Sequence, residues 1–202
     1  MRIAMLVSAL LLAASASAQD FSYRYIEALG YQSKNNDTDI TLDVAAATLS
    51  LQSRQGALLQ VTLAGGEADD LVSAAGGPEG DYRAFELFGG GARQLTDKTS
   101  AWTGIGIGKS RLEPDNGRAE FDLLTARFSL GLRHWLLPRV EGHASTSLVY
   151  FEDDDRGTEV EDAELRLGLR VYPLPRVSLN VEGAYQFDER VEIFTASLRY
   201  DF

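Results

Sequence analysis

From residue 124 onward the chain alternates apolar and polar positions with a period of two, in runs of about ten residues separated by short connections. Leu124, Ala126, Phe128, Leu130 and Leu132 fall on one face, and Arg127, Ser129, Gly131 and Arg133 on the other. Val140 to Tyr150 repeats the pattern against Glu141, His143, Ser145 and Ser147. Ala163 to Val171 does so against Glu164, Arg166, Gly168 and Arg170, and Val177 to Phe187 against Ser178, Asn180, Glu182, Ala184 and Gln186. Finally Phe194, Ala196, Leu198, Tyr200 and Phe202 oppose Thr195, Ser197, Arg199 and Asp201. A two-residue period places alternate side chains on opposite faces of a strand and fits no helical stripe.

The first half is less regular. Phe21, Tyr23, Tyr25, Leu29 and Tyr31 share a face that Glu27 interrupts, and Ile40 to Leu51 changes face near Ala45-Ala46-Ala47, which predicts a bulge. Leu59, Val61 and Leu63 mark a third strand, Phe85 and Leu87 a fourth, and Ile105 and Ile107 a fifth, with glycines beside them that suit a narrow, bending barrel. The count is ten, and eight if this region pairs differently. An even number returns both ends of the chain to one side. The expected fold is all-β, an up-and-down antiparallel transmembrane β-barrel. A soluble lipocalin-like barrel shares the alternation but turns the apolar face inward.

The connections sort by length and charge. Those at Ser53 to Gly56, Leu95 to Thr99, Leu137 to Arg139 and Pro173 to Arg176 are short and carry basic residues. Glu67 to Gly80, Glu113 to Arg118 and Glu152 to Asp162 are longer and mostly acidic. Short turns belong to the periplasmic side and long loops to the outside. Two aromatic girdles are expected: Tyr23, Trp102, Trp135, Tyr172 and Phe202 toward the short turns, and Tyr31, Tyr82, Phe121, Tyr150, Phe151 and Phe187 toward the long loops.

Residues 1–18 read as a secretion signal: Met1-Arg2, an apolar run from Ile3 to Ala14, then Ser15-Ala16-Ser17-Ala18. Removing those 18 from the 202 residues leaves 184, residues 19–202, as one barrel domain. Losing Arg2 takes the formal charge from −11 to −12, which argues against nucleic acid as a partner. With no cysteine there is no disulfide and no thiol chemistry. Mean hydropathy is −0.15, a soluble-looking value that an inward polar face produces in a membrane barrel.

Phe202, Tyr200, Leu198, Ala196 and Phe194 resemble the C-terminal assembly signal of bacterial outer-membrane proteins, with Ser197 where a Gly is often found. The resemblance implies insertion by the outer-membrane assembly machinery, with outer-membrane lipid and lipopolysaccharide as surroundings. In layout the chain is similar to small barrels of the OmpA-like superfamily without a peptidoglycan-binding domain. Tyr23-Arg24-Tyr25-Ile26-Glu27 resembles the start of small outer-membrane proteins of xanthomonad type. Neither resemblance supplies an activity.

The inward face of the later strands gathers Arg127, Arg133, Glu141, His143, Glu164, Arg166, Arg170, Glu182 and Arg199. Charges kept from bulk water demand partners, so a lumen-filling ion-pair network is expected. Left unpaired and wet, Arg127, Arg166 and Arg170 would instead line a narrow solute or ion pore. Glu141, His143 and Ser145 supply a carboxylate, an imidazole and a hydroxyl on one side of a strand, superficially like the His-x-Ser of outer-membrane lipid A deacylases. Their position near the Pro138-Arg139 turn and the absence of an oxyanion donor weigh against catalysis. Glu152 to Glu159 and Asp69-Asp70 are acidic enough to attract a divalent cation, but their spacing matches no EF-hand and they read as solvated loops. The expectation is a structural or surface-interaction barrel without cofactor, metal or catalytic site, its acidic loops meeting an extracellular ligand. A pore is the alternative and a lipid-modifying enzyme the third reading.

Overall fold

A computed structural model describes residues 21–37, 40–69, 79–114, 121–153 and 158–202. The signal segment, Asp70, Asp115 to Gly117 and Asp154 to Gly157 lie outside them. Ten strands follow in chain order: β1 (Tyr25–Asn35), β2 (Thr41–Gln52), β3 (Ala57–Asp69), β4 (Glu79–Thr96), β5 (Thr99–Pro114), β6 (Phe121–Leu137), β7 (Val140–Asp153), β8 (Thr158–Leu174), β9 (Val177–Gln186) and β10 (Val191–Asp201). Each pairs antiparallel with its sequence neighbours, and β10 closes on β1 with Tyr25 opposite Asp201. The barrel therefore has no free edge.

Strands on the loop side are longer than the alternation alone suggested. β4 has 18 residues and β8 has 17, so the ends of the acidic stretches read as loops, most of all Glu159 to Asp162, are strand. The predicted bulge in β2 is absent: its register against β1 and β3 runs without a shift. Leu42 and Val44 face the lumen while Leu49 and Leu51 face out, and the three alanines between them, small enough for either side, made one continuous strand look like two faces.

Directly paired residues climb around the wall. A row that starts at Gln52 near the bottom of β2 passes through Leu58, Gly90, Gly104, Ser129, Ser147, Glu164, Gln186 and Val191, and reaches β1 at Asn35, the top of that strand. That stagger, about twelve residues over the ring, tilts the strands roughly 40° and leaves an interior wide enough for side chains and a modest cavity.

The outside is an apolar belt. Ile26, Leu63, Ile105, Phe128, Leu148, Leu167, Val181, Phe194 and Leu198 are all exposed. About nine or ten residues per strand, at a rise of ~3.4 Å and that tilt, give a belt roughly 25 Å tall, which matches the hydrocarbon thickness. A soluble barrel with an apolar core would turn these faces the other way. Below the belt, every short turn carries a base: Arg54, Lys98, Arg139 and Arg176. Above it, outward positions turn charged. There Asp122 accepts hydrogen bonds from Arg111 Nε at 2.8 Å and Nη2 at 3.0 Å, and Lys109 Nζ is 2.8 Å away. The Arg111 guanidinium, then the Lys109 ammonium, hold its carboxyl down to about 2.

Leu167 lies near mid-belt and is 56% exposed. Leu167→Arg is expected to cost roughly 2–4 kcal/mol of folding into vesicles, whereas Glu152→Arg, outward but above the belt, is expected to be close to neutral. Equilibrium folding followed by heat-modifiable electrophoretic mobility checks both.

Candidate functional site

The short-turn end of the lumen is closed by a floor. Residues 21–24, just before β1, bring Phe21 and Tyr23 inward to meet Leu58 of β3, Trp135 of β6 and Tyr172 of β8, all 5–9% exposed. Phe21 stacks on Trp135 at 5.5 Å between centroids, and Trp135 meets Tyr172 at 5.3 Å. The Ser22 carbonyl accepts from two guanidinia, Arg133 Nη1 at 2.8 Å and Arg199 Nη2 at 2.6 Å. Arg133 also lies over the rings of Phe21 and Tyr23, and Arg199 over Tyr25.

These arginines belong to a lower ion cluster. Arg133 forks onto Glu141 with two bonds of 2.7 Å, and Glu141 is fully buried. Arg170 reaches Glu27 at 3.2 Å and Glu141 at 3.8 Å, Arg199 Nε donates to Asp201 at 2.8 Å, and Ser197 donates to Glu27. Three bases, Arg133, Arg170 and Arg199, thus face three acids, Glu27, Glu141 and Asp201. A bidentate Arg–carboxylate fork offsets desolvation only while both partners remain, so the cluster is fixed rather than adjustable.

Higher in the lumen a second cluster runs across β4, β6, β7, β8 and β9. Arg166 donates to Glu164 at 2.9 Å and to Glu182 at 2.7 Å. Gln186 adds a bond to Glu164, and His143 donates its Nε2–H to Glu182 at 2.7 Å. Glu164 and Glu182 are therefore well satisfied. Arg127 and Glu86 are not. Arg127 stands 3.7 Å from Glu164 and 3.8 Å from Glu86, beyond hydrogen-bond distance, and its buried Nε has no partner among the described residues.

Three inward rings lie flat on the wall because the neighbouring strand offers glycine beneath them. A Cβ added at Gly104 would come within 2.4 Å of Phe88, one at Gly131 within 2.5 Å of Trp102, and one at Gly168 within 2.3 Å of His143. With large groups pressed against β5 to β8, and small residues such as Ala46, Thr48, Thr62, Ala64 and Ala84 among the inward side chains of β2 to β4, space is left between the two sides. It is a cavity of about 750 Å³ that runs from above the floor to Asn35, Ile40 and Val191 at the loop ends.

Of the residues singled out in the sequence, Arg133, Glu141, Arg170 and Arg199 meet in the lower cluster, and Arg127, His143, Glu164, Arg166 and Glu182 in the upper one. Glu27, Glu86 and Asp201 were missed as members. Glu27 carried its own signal, a lone charge on a face of tyrosines; Glu86 could be found by counting inward from Phe85 and Leu87. Glu141, His143 and Ser145 do not assemble a relay, since Glu141 is taken by Arg133 and His143 turns to Glu182. Phe194, Leu198, Tyr200 and Phe202 all face outward on β10 or at its end.

The girdle expectation needs correcting. Tyr23, Trp135 and Tyr172 are floor residues, and Trp102, Tyr31, Tyr82 and Phe151 line the lumen. The alternation in β1 through Tyr25 and Glu27 already fixes which way that strand's tyrosines face. Outward aromatics are Phe202 and Tyr200 below, and Tyr185 packed edge-on against Phe187 above. Asp162, assigned to a solvated loop, is instead a buried inward residue of β8. Its carboxylate accepts the backbone N–H groups of Phe187, Asp188 and Glu189 and so holds the β9–β10 turn, where Arg190 takes a positive φ of 51°.

No family model and no curated relative matches the sequence. Solved structures match in fold. The β domain of the Bordetella autotransporter BrkA superposes with a TM-score of 0.56 at 14% identity, over 88% of this chain and 98% of that one. The translocator domain of the autotransporter NalP from Neisseria meningitidis gives 0.51 at 12% identity, over 100% and 94%. NanC porin gives 0.50 at 9%, over 88% and 100%. At such identities the likeness is one of architecture: the chain folds as an outer-membrane β-barrel.

Arg133→Ala strands the fully buried Glu141 and is expected to destabilise by about 3–5 kcal/mol, with the Arg133→Ala/Glu141→Ala pair recovering part of the loss. Gly168→Ala drives a methyl into the His143 ring and is expected to cost about 1–3 kcal/mol, partly relieved by adding His143→Ala. Urea unfolding from vesicles reads both cycles.

Proposed function

We propose that this integral outer-membrane barrel is not a through-pore but a barrel sealed on its short-turn side, with a structural or surface-interaction role exercised at its loop end. The single observation that carries this reading is the floor. Phe21, Leu58, Trp135 and Tyr172 are buried and none of them lines the cavity, which stops above them at Tyr23, Arg133 and Arg199. Passage of a solute would require breaking the Arg133–Glu141 fork and lifting Ser22 off two arginines. Arg166 and Arg170, which a pore would present to passing ions, are committed to carboxylates. Long strands and charged outward positions carry the other end of the barrel clear of the belt, where a ligand or neighbouring molecule meets it.

Planar-bilayer recording of the folded native protein is expected to show no steady openings. Phe21→Ala/Trp135→Ala, which removes the two stacked rings and keeps every ion-pair residue, is expected to produce discrete conductance steps. Steady conductance by the native barrel would instead favour the pore.

A further inference from the structure

We infer that the lumenal cavity is a binding site for a small zwitterion with an apolar body, an amino acid or short peptide with apolar side chains. The upper cluster leaves hydrogen bonds open at two of its members. Glu164 accepts from Arg166 and Gln186, and Glu182 accepts from Arg166 and His143. Among the described residues, Glu86 is the carboxylate of that cluster that accepts no hydrogen bond, and Arg127 is the guanidinium that donates none. The two stand 3.8 Å apart, with side chains 32% and 23% exposed, and both line the cavity. A carboxylate and a guanidinium held side by side at that separation, each with unused capacity, are matched by a molecule that brings an ammonium to the first and a carboxylate to the second.

Charge balance points the same way. Glu86, Glu164 and Glu182 against Arg127 and Arg166 leave the cluster one negative charge with His143 neutral, and balanced with it protonated. A simple anion would add to the acidic side, and a simple cation would leave Arg127 unserved. A zwitterion serves both groups without changing the local charge. The remaining wall supplies the apolar half: Leu29, Ala46 and Ala64 line the same space, and Ala84 and Phe88 flank Glu86 on β4. A volume of about 750 Å³ holds a dipeptide with room to spare. Entry is from the loop side, because the floor blocks the other.

Isothermal titration of the folded barrel in detergent, with the dipeptide phenylalanylleucine as probe, tests the site. The unmodified dipeptide is expected to bind. Its C-terminal amide, which lacks the carboxylate, and its N-acetyl form, which lacks the ammonium, are each expected to bind at least tenfold more weakly. Glu86→Gln and Arg127→Gln, checked for folding by heat-modifiable mobility, are expected to reduce affinity for the unmodified form by a similar factor. Equal binding of all three probes, binding that ignores both substitutions, or no binding to the native barrel would overturn the inference and leave the cavity to solvent. None of these outcomes depends on whether the floor conducts, so failure here and failure of the sealed-barrel reading are separable.

Discussion

A charge that points into this barrel has only other inward side chains and a little water to answer it, and that constraint organises the interior. Burying a lone guanidinium or carboxylate costs several kcal/mol, so each inward Arg must find an acid at the right height on another strand. The lower cluster meets the requirement charge for charge, with three bases, three acids and a fully buried Glu141, although Arg170 Nε is left without a hydrogen bond among the described residues. The aromatic floor depends on the same pairing, since Arg133 and Arg199 hold both Glu141 and Asp201 and the Ser22 carbonyl that brings Phe21 under Trp135. Loosening one fork therefore disturbs the ion pairs and the seal together.

The strand count, the antiparallel order and the faces of β6 to β10 were legible because their alternation is strict and one side is free of charge. Where the inward face is itself apolar, the same rule lost its contrast. In β1 the tyrosines looked like girdle residues, and in β2 a run of alanines imitated a bulge. The residues of the ion network could be read as inward from parity alone. Their partners could not, since they depend on shear: Arg170 of β8 reaches Glu27 across the lumen, 143 positions away in sequence, and no local pattern encodes that.

Glycine does more here than ease curvature. Phe88, Trp102 and His143 lie against Gly104, Gly131 and Gly168, which spreads bulky groups flat on one arc of the wall. Small residues such as Ala46, Thr48, Thr62 and Ala64 stand inward on β2 and β3. The asymmetry turns a barrel whose lumen could have been filled throughout into one with a packed base and an open upper chamber. It also explains why the upper cluster is less completely bonded than the lower one: the chamber separates Arg127 from the acids nearest it.

The floor joins the two ends of the described chain. Ser22 precedes the first strand, and Arg199, one of its two donors, sits near the end of the last. During insertion this contact is unavailable until β10 has found β1, so the seal forms at the final step of assembly rather than along the way. A half-built barrel has walls but no bottom. On the sealed-barrel proposal, watertightness is then a property that arrives all at once with closure.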